Sequence, residues 1–274
     1  MTSIGEKMVR FRVAPKPLPK VKPIHHEGVF GHFEDVTDKA IARLDVLADR
    51  GAKEKARFFR YLKERVDAGK FGDMQELQLA EGKVRMDSDI VKYIDPSIWF
   101  ESKIDQALRL GLDKREPIDI LDIGTGPAHF PVVAEFYGHH VVGTDLPYRT
   151  TGKLERGHIY DALADIYRVK RIPLKIEAFT PLPPMDRRYG LVTAFLAAFN
   201  VDAERKPWTV EAWTYFLCDV RDNVLAEDGE IYMSLDNNKL TEESWAFLSS
   251  HSVFVNDKAK QVRIANLSSI GNRS

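Results

Sequence analysis

The chain has 274 residues, which at roughly 150 per domain means one large domain or a core domain with a sizeable attachment. Lys and Arg number 40 against 41 Asp and Glu, a formal charge of -1, which argues against a protein held to nucleic acid by bulk positive charge. A hydrophobic fraction of 44% with 30% charged residues describes a globular chain and excludes the disordered and fibrous classes.

The single cysteine, Cys218, rules out an intramolecular disulfide and a cysteine-built zinc site, and a reducing, cytoplasmic location follows as the expectation. No stretch approaches the roughly 18 apolar residues of a membrane-spanning helix. The N-terminus lacks the apolar run of a secretory signal, so export is not expected.

In chain order, residues 1–23 carry Lys7, Arg10, Arg12, Lys16, Lys20 and Lys22 against Glu6 alone. The alternation Ala14-Pro15-Lys16-Pro17-Leu18-Pro19-Lys20 favours extended polyproline or disorder. Residues 1–32 therefore read as a basic, proline-rich arm, most simply a solvated terminus and otherwise a contact for an acidic surface. Residues 33–113 read as a helical cap. Ile41, Leu44 and Leu47 mark one apolar face; Phe58, Phe59, Leu62 and Val66 mark a second, with Gly51 between them as a stop. A short strand or turn is expected at 83–86. A further helix starts with Asp95 as its cap and Pro96 in its first turn, and ends at Gly111.

From residue 114 to 274 the pattern changes to short apolar strands alternating with helices. Strands are expected at 119–123, 141–145, 174–178, 191–195, 230–235, 253–255 and 261–265. Helices are expected at 128–137, 159–168, 209–226 and 242–249. This alternation implies a doubly wound α/β domain on a mostly parallel seven-stranded sheet, the last two strands forming an antiparallel hairpin.

The sharpest motif is Asp122-Ile123-Gly124-Thr125-Gly126-Pro127-Ala128-His129. An apolar strand enters two glycines and then a helix, so the backbone turns tightly and a ligand can approach it closely. Asp145 follows Gly126 by 19 residues at the end of the next apolar run, where a carboxylate can accept both hydroxyls of a ribose. A dinucleotide loop would place glycine where His129 stands, and Pro127 removes a backbone N–H from the turn that would face a pyrophosphate. The acid before the first glycine suits a cationic cofactor better.

Asp122-x-Gly124-x-Gly126-x-Ala128 resembles the first motif of the class I S-adenosylmethionine-dependent methyltransferases, with alanine at the third glycine. The resemblance runs over about residues 116–267. It includes Glu177-Ala178-Phe179 at the third strand, Tyr189-Gly190-Leu191-Val192 at the fourth, Asp228-Gly229 before the fifth and the terminal hairpin. It implies a Rossmann-like methyltransferase sheet that binds S-adenosyl-L-methionine. Asp122, Ile123, Gly124, Thr125 and Gly126 would bound the methionine end of the cofactor. Asp145 and Leu146 would lie at the ribose, Glu177, Ala178 and Phe179 at the adenine, and Phe195 at the end of the fourth strand.

Acceptor residues are expected after the fourth strand, where Asn200 and Asp202 are the catalytic candidates. The base-amine motif Asn-Pro-Pro-Tyr is absent from Phe195-Leu196-Ala197-Ala198-Phe199-Asn200, which, with the acidic body, argues against a nucleic-acid acceptor. Asp236-Asn237 is similar to the metal-binding pair of catechol O-methyltransferases. Its fourth-strand partner does not align, however, and Asp-Asn is ordinary turn chemistry, so no metal is expected. Trp99 and Trp208 are candidate walls of an acceptor pocket, and His139-His140 is expected to be solvated. The run Trp99-Phe100-Glu101-Ser102-Lys103 is similar to bacterial polysaccharide-associated methyltransferases, which favours a hydroxyl of a small molecule or glycan as acceptor. Two other readings stand: an NAD(P)-dependent oxidoreductase, and a non-catalytic cofactor-binding regulatory protein.

Overall fold

The computed structural model describes residues 10–11, 26–27, 48, 53–66, 70, 96–146, 156–202 and 204–271. The expected helix around Ile41 to Leu47, the strand or turn at 83–86 and the Asp95 cap lie outside them. The chain divides into two compact units. The first comprises Met1–Lys114, Gly126–Gly138 and Tyr148–Lys170, and the second Arg115–Thr125, His139–Pro147 and Arg171–Ser274.

The first unit pairs β1 (Arg10–Phe11) antiparallel with β2 (His26–Glu27). Its helices are Lys53–Arg65, Pro96–Arg109, His129–Phe136 and Arg156–Ile166. In Lys53–Arg65 the apolar face is Ala56, Phe58, Phe59 and Leu62, all buried. Glu54 in the first turn and Lys63 and Arg65 in the last complement the helix dipole. Phe58 meets Phe100 at 5.2 Å and Phe136 at 5.3 Å between ring centroids. Arg65 then satisfies the end of another helix: its Nε donates to Tyr167 O at 2.5 Å and its Nη2 to Arg168 O at 2.8 Å, carbonyls that a helix terminus leaves open.

The second unit holds the seven-stranded sheet in the order β5-β4-β3-β6-β7-β9-β8. The strands are β3 (Asp119–Ile123), β4 (His140–Asp145), β5 (Arg171–Pro173), β6 (Tyr189–Phe195), β7 (Leu225–Ser234), β8 (Phe254–Asn256) and β9 (Gln261–Ile264). The strands from β5 through β7 pair in parallel, β9 runs antiparallel to β7, and β8 closes the hairpin. This is the doubly wound, mostly parallel sheet with a terminal antiparallel hairpin expected from the sequence. Buried strands need apolar residues on both faces. Ile120, Leu121, Leu191, Val192, Ile231 and Met233 supply them, backed by Trp213, Phe216, Leu217 and Val220 of helix Val210–Asn223.

Two shifts of boundary bear on the site and its support. The strand read at 174–178 lies at Arg171–Pro173, where the ladder with β4 ends at the pair Asp145 and Pro173. Leu174 N–H still donates to Asp145 O at 2.6 Å as the ladder ends, and Leu174 and Ile176 remain buried, so the alternation that suggested a strand reports packing past the last paired residue. The helix read to residue 226 stops at Asn223, and β7 begins at Leu225, opposite Tyr189. The next pair is Leu191 with Glu230, so the intervening β7 residues bulge. There a Cβ on Gly229 would stand 2.9 Å from both Ala226 O and Tyr189 O.

Candidate functional site

The sheet order reverses between β3 and β6, since the chain moves from β3 outward to β4 and β5 and then returns to the other side for β6 and β7. A crevice outside the carboxyl ends of the strands at such a switch point is where open α/β sheets bind ligands. The glycine turn leaves β3 there. Gly124 has φ +63°, Gly126 +52° and Ala128 +62°, a left-handed backbone that costs an L-residue roughly 1 kcal/mol or more. Ala128, at the third small position of the motif, thus adopts a backbone suited to glycine.

Within the second unit the turn is fixed by strand ends on both sides. Thr125 N–H donates to Thr144 O at 2.8 Å. Asp122 is 2% exposed; its Oδ2 accepts from Thr125 Oγ1 and its Oδ1 from Thr193 Oγ1, both at 2.6 Å. The acid of the motif thus lies beneath the turn and joins it to β6. On β4, a Cβ at Gly143 would come within 2.8 Å of Thr125 Cγ2, so glycine is needed there to seat the threonine. On the far side Ala197 closes on Gly124, where an added Cβ would stand 2.3 Å from Ala197 Cβ.

This last contact yields a prediction. Gly124→Ala combines a left-handed φ with an overlap against Ala197, and should lower stability by about 3 kcal/mol. The measurement is the urea midpoint at constant m-value; an unshifted midpoint would show that the turn can relax.

Asp145 ends β4 with its side chain 20% exposed. Its Oδ1 accepts the Leu146 N–H at 2.8 Å, and its Oδ2 lies 3.1 Å from Arg171 Nη2. Three exposed apolar residues follow strands on either side of β3: Leu146 after β4, Phe179 beyond β5 and Leu196 after β6. Phe179 and Leu196 have φ +57° and +56°, and such backbone in non-glycine residues concentrates at ligand sites. Helix Val210–Asn223 holds the 177–182 segment. Tyr215 meets the Phe179 ring at 5.9 Å, and the buried Asp219 accepts the Leu182 N–H at 2.6 Å. Glu177 is exposed and pairs with Lys175, Ala178 is half-buried, and Phe195 stands 5.7 Å from the Tyr232 ring.

The acceptor candidates have other surroundings. Asn200 is fully buried and its Nδ2 donates to Lys239 O at 2.5 Å. Asp202 is exposed and its Oδ1 accepts from the N–H groups of Glu204 and Lys206, an Asx turn. Trp208 corrects the expectation of a pocket wall: it is 2% exposed and packed among Phe199, Trp213 and Phe216, so it is core. Trp99 belongs to the first unit and is half-buried, parallel to the His129 ring at 6.3 Å. Asp236 caps the turn Asn237–Lys239 through Asn238 N–H, and among the described residues no His, Cys, Asp and Glu cluster suited to a metal is found. His139, expected in solvent, is buried, and its Nδ1 accepts the Ile118 N–H at 3.2 Å, which makes it a neutral ring protonated on Nε2.

The residues that periodicity missed are Thr193, Gly143, Arg171 and Ala197. Thr193 alone carried a signal, as the polar member of the buried run Leu191-Val192-Thr193-Ala194.

No family model matches the chain, and no curated protein does. Among solved structures it is similar to the YcgJ protein of Bacillus subtilis, with 19% identity over 48% of this chain and 50% of that one and a TM-score of 0.34. It is also similar to a putative methyltransferase of Bacillus halodurans, with 18% identity, the same coverage and a TM-score of 0.34. A third is the S-adenosylmethionine-bound amino pentose methyltransferase of Micromonospora echinaspora, with 16% identity over 52% of this chain and 54% of that one and a TM-score of 0.37. The chain spans about half the length of each.

Proposed function

We propose that this chain is a class I S-adenosylmethionine-dependent methyltransferase acting on a hydroxyl of a small molecule or glycan. The observation that carries the reading is the convergence, at the switch point of the sheet, of the Gly124 turn and the partly exposed Asp145 carboxylate. The two are tied through Thr125 and Thr144. The donor set fits the cofactor: a carboxylate for the ribose hydroxyls with exposed Leu146 beside it, exposed Phe179 for an adenine ring, and a tight turn for the methionine end. Pro127 and His129 disfavour a pyrophosphate in that turn.

When bound, S-adenosylmethionine supplies an electrophilic methyl on a sulfonium, transferred by in-line displacement. The protein's part is then alignment and exclusion of water. Asp145 holds the ribose end, and Asp122 acts from below by fixing Thr125. Of the residues after β6, Asn200 carries an amide, which cannot serve as a base, so its role is to hold the segment against Lys239. Asp202 is the carboxylate available to accept a hydroxyl proton, once its turn opens. Residues 33–113 are proposed as a helical cap and residues 114–274 as the cofactor-binding region, in a cytoplasmic enzyme.

Thermal melting tests the cofactor class. S-adenosylhomocysteine at about 100 times its Kd should raise the Tm by roughly 5–10 °C, while NAD and NADP leave it unmoved. A rise with a nicotinamide nucleotide alone would replace this reading with an oxidoreductase. Binding without turnover in a labelled-methyl screen of sugar and small-molecule acceptors would favour a regulatory protein.

A further inference from the structure

Beside Asp145 stands a charged side chain that the glycine motif does not pick out. β4 and β5 run parallel with Gly143 opposite Arg171 and Asp145 opposite Pro173. Residues two apart on a strand share a face, so Arg171 and Asp145 project to the same side of the sheet. Gly143, which lies opposite Arg171, places no side chain between them. The guanidinium reaches along the face to Asp145, with Nη2 3.1 Å from Oδ2, while Leu146 N–H occupies Oδ1 at 2.8 Å. The Arg171 side chain is only 10% exposed. A surface ion pair is worth little, whereas an arginine withdrawn this far from water must be matched to its partner by geometry.

We infer that Arg171 is the positioning residue of the ribose-binding carboxylate, an inference that rests on the proposed role of Asp145. A carboxylate has two oxygens and about four acceptor directions. One donor on each oxygen fixes the side-chain torsion and the plane of the group. A vicinal diol needs its two acceptors at a set spacing and angle, and a carboxylate free to rotate would lose conformational freedom on binding. Arg171 and the Leu146 N–H remove that freedom in advance. Arg171 therefore sets how strongly the site distinguishes a ribose from a deoxyribose, without itself touching the ligand.

The test is calorimetry on the full chain with S-adenosylhomocysteine and its 2′-deoxyribose counterpart, comparing wild type, Arg171→Lys and Arg171→Met, with each Tm measured alongside. In wild type, loss of the 2′-hydroxyl is expected to weaken binding about tenfold, because the carboxylate is left short of a donor. In Arg171→Met, S-adenosylhomocysteine should bind about tenfold more weakly and the ribose-to-deoxyribose ratio should shrink below about threefold. Arg171→Lys, which keeps the charge without the planar fork, should fall between and carries the comparison if the methionine variant does not fold. A purely structural role would weaken both ligands alike and leave the ratio at its wild-type value, which overturns the inference while the cofactor assignment stands. Absence of S-adenosylhomocysteine binding in wild type overturns both. Adenosine 2′,5′-bisphosphate is the third probe: tight binding lost in Arg171→Met would make the arginine a phosphate ligand and overturn its positioning role.

Discussion

Asp122→Ala is expected to lower the stability of the chain by about 3 kcal/mol and to free the glycine turn from β6. The carboxylate is 2% exposed and accepts from Thr125 and Thr193, both at 2.6 Å. Hydrogen bonds to a charged group contribute about 1.5–3 kcal/mol each, and removal of the acceptor leaves buried hydroxyls without it. Part of that loss is offset because a desolvated carboxylate disappears as well, and the two bonds share one acceptor, so their energies do not simply add. Asp122→Asn should cost only about 1 kcal/mol, since the amide oxygen can accept from one threonine while its N–H donates to the other. Urea midpoints of the two variants check this. An Asp122→Ala midpoint equal to wild type would mean that the threonines find other partners and the turn is held from elsewhere. The order matters for function, because Thr125 is also bonded to Thr144, the residue before Asp145. A loosened turn should therefore weaken cofactor binding in step with stability.

How much of this was legible in sequence follows from the range of each interaction. The strand, the glycine turn and the acid 19 residues beyond it are local in the chain, and periodicity with turn chemistry locates them. The parallel pairing of the strands follows from their alternation with helices, because parallel neighbours need crossovers. What was not legible depends on which strands become neighbours. Thr193 meets Asp122 only because β6 pairs with β3, with Thr193 opposite Asp122. Arg171 meets Asp145 only because β5 begins three residues earlier than the apolar alternation of Leu174 and Ile176 suggests. Trp208 was assigned by residue type to a pocket wall. Its burial comes from the aromatic residues Phe199, Trp213 and Phe216, which only the folded chain brings around it. His139 is the converse case: a polar residue beside a strand, read as solvated, that the fold uses as a buried acceptor for Ile118 N–H.

Asp145→Ala should abolish measurable binding of S-adenosylhomocysteine, but that loss alone is ambiguous. The substitution also leaves Arg171, with a side chain only 10% exposed, without the carboxylate it faces, and breaking a withdrawn ion pair from one side destabilises the fold. Because Asp145 itself keeps 20% of its side-chain surface, the expected penalty is about 2 kcal/mol, below the full buried-pair value. Asp145→Asn separates the two effects. Its amide oxygen can still accept from Arg171 or Leu146, so the Tm should fall less than in Asp145→Ala, while the amide offers one acceptor where the diol requires two and binding should weaken at least about thirtyfold. The double variant Asp145→Ala with Arg171→Met removes both charges and should recover most of the Tm lost in Asp145→Ala without recovering any binding, since replacing a withdrawn pair by apolar groups is often neutral. Melting curves and calorimetry on these variants give the answer together. Recovered binding in the double variant would mean that Asp145 supports the site only through stability. A folded Asp145→Asn variant that binds as tightly as wild type would remove the ribose assignment itself.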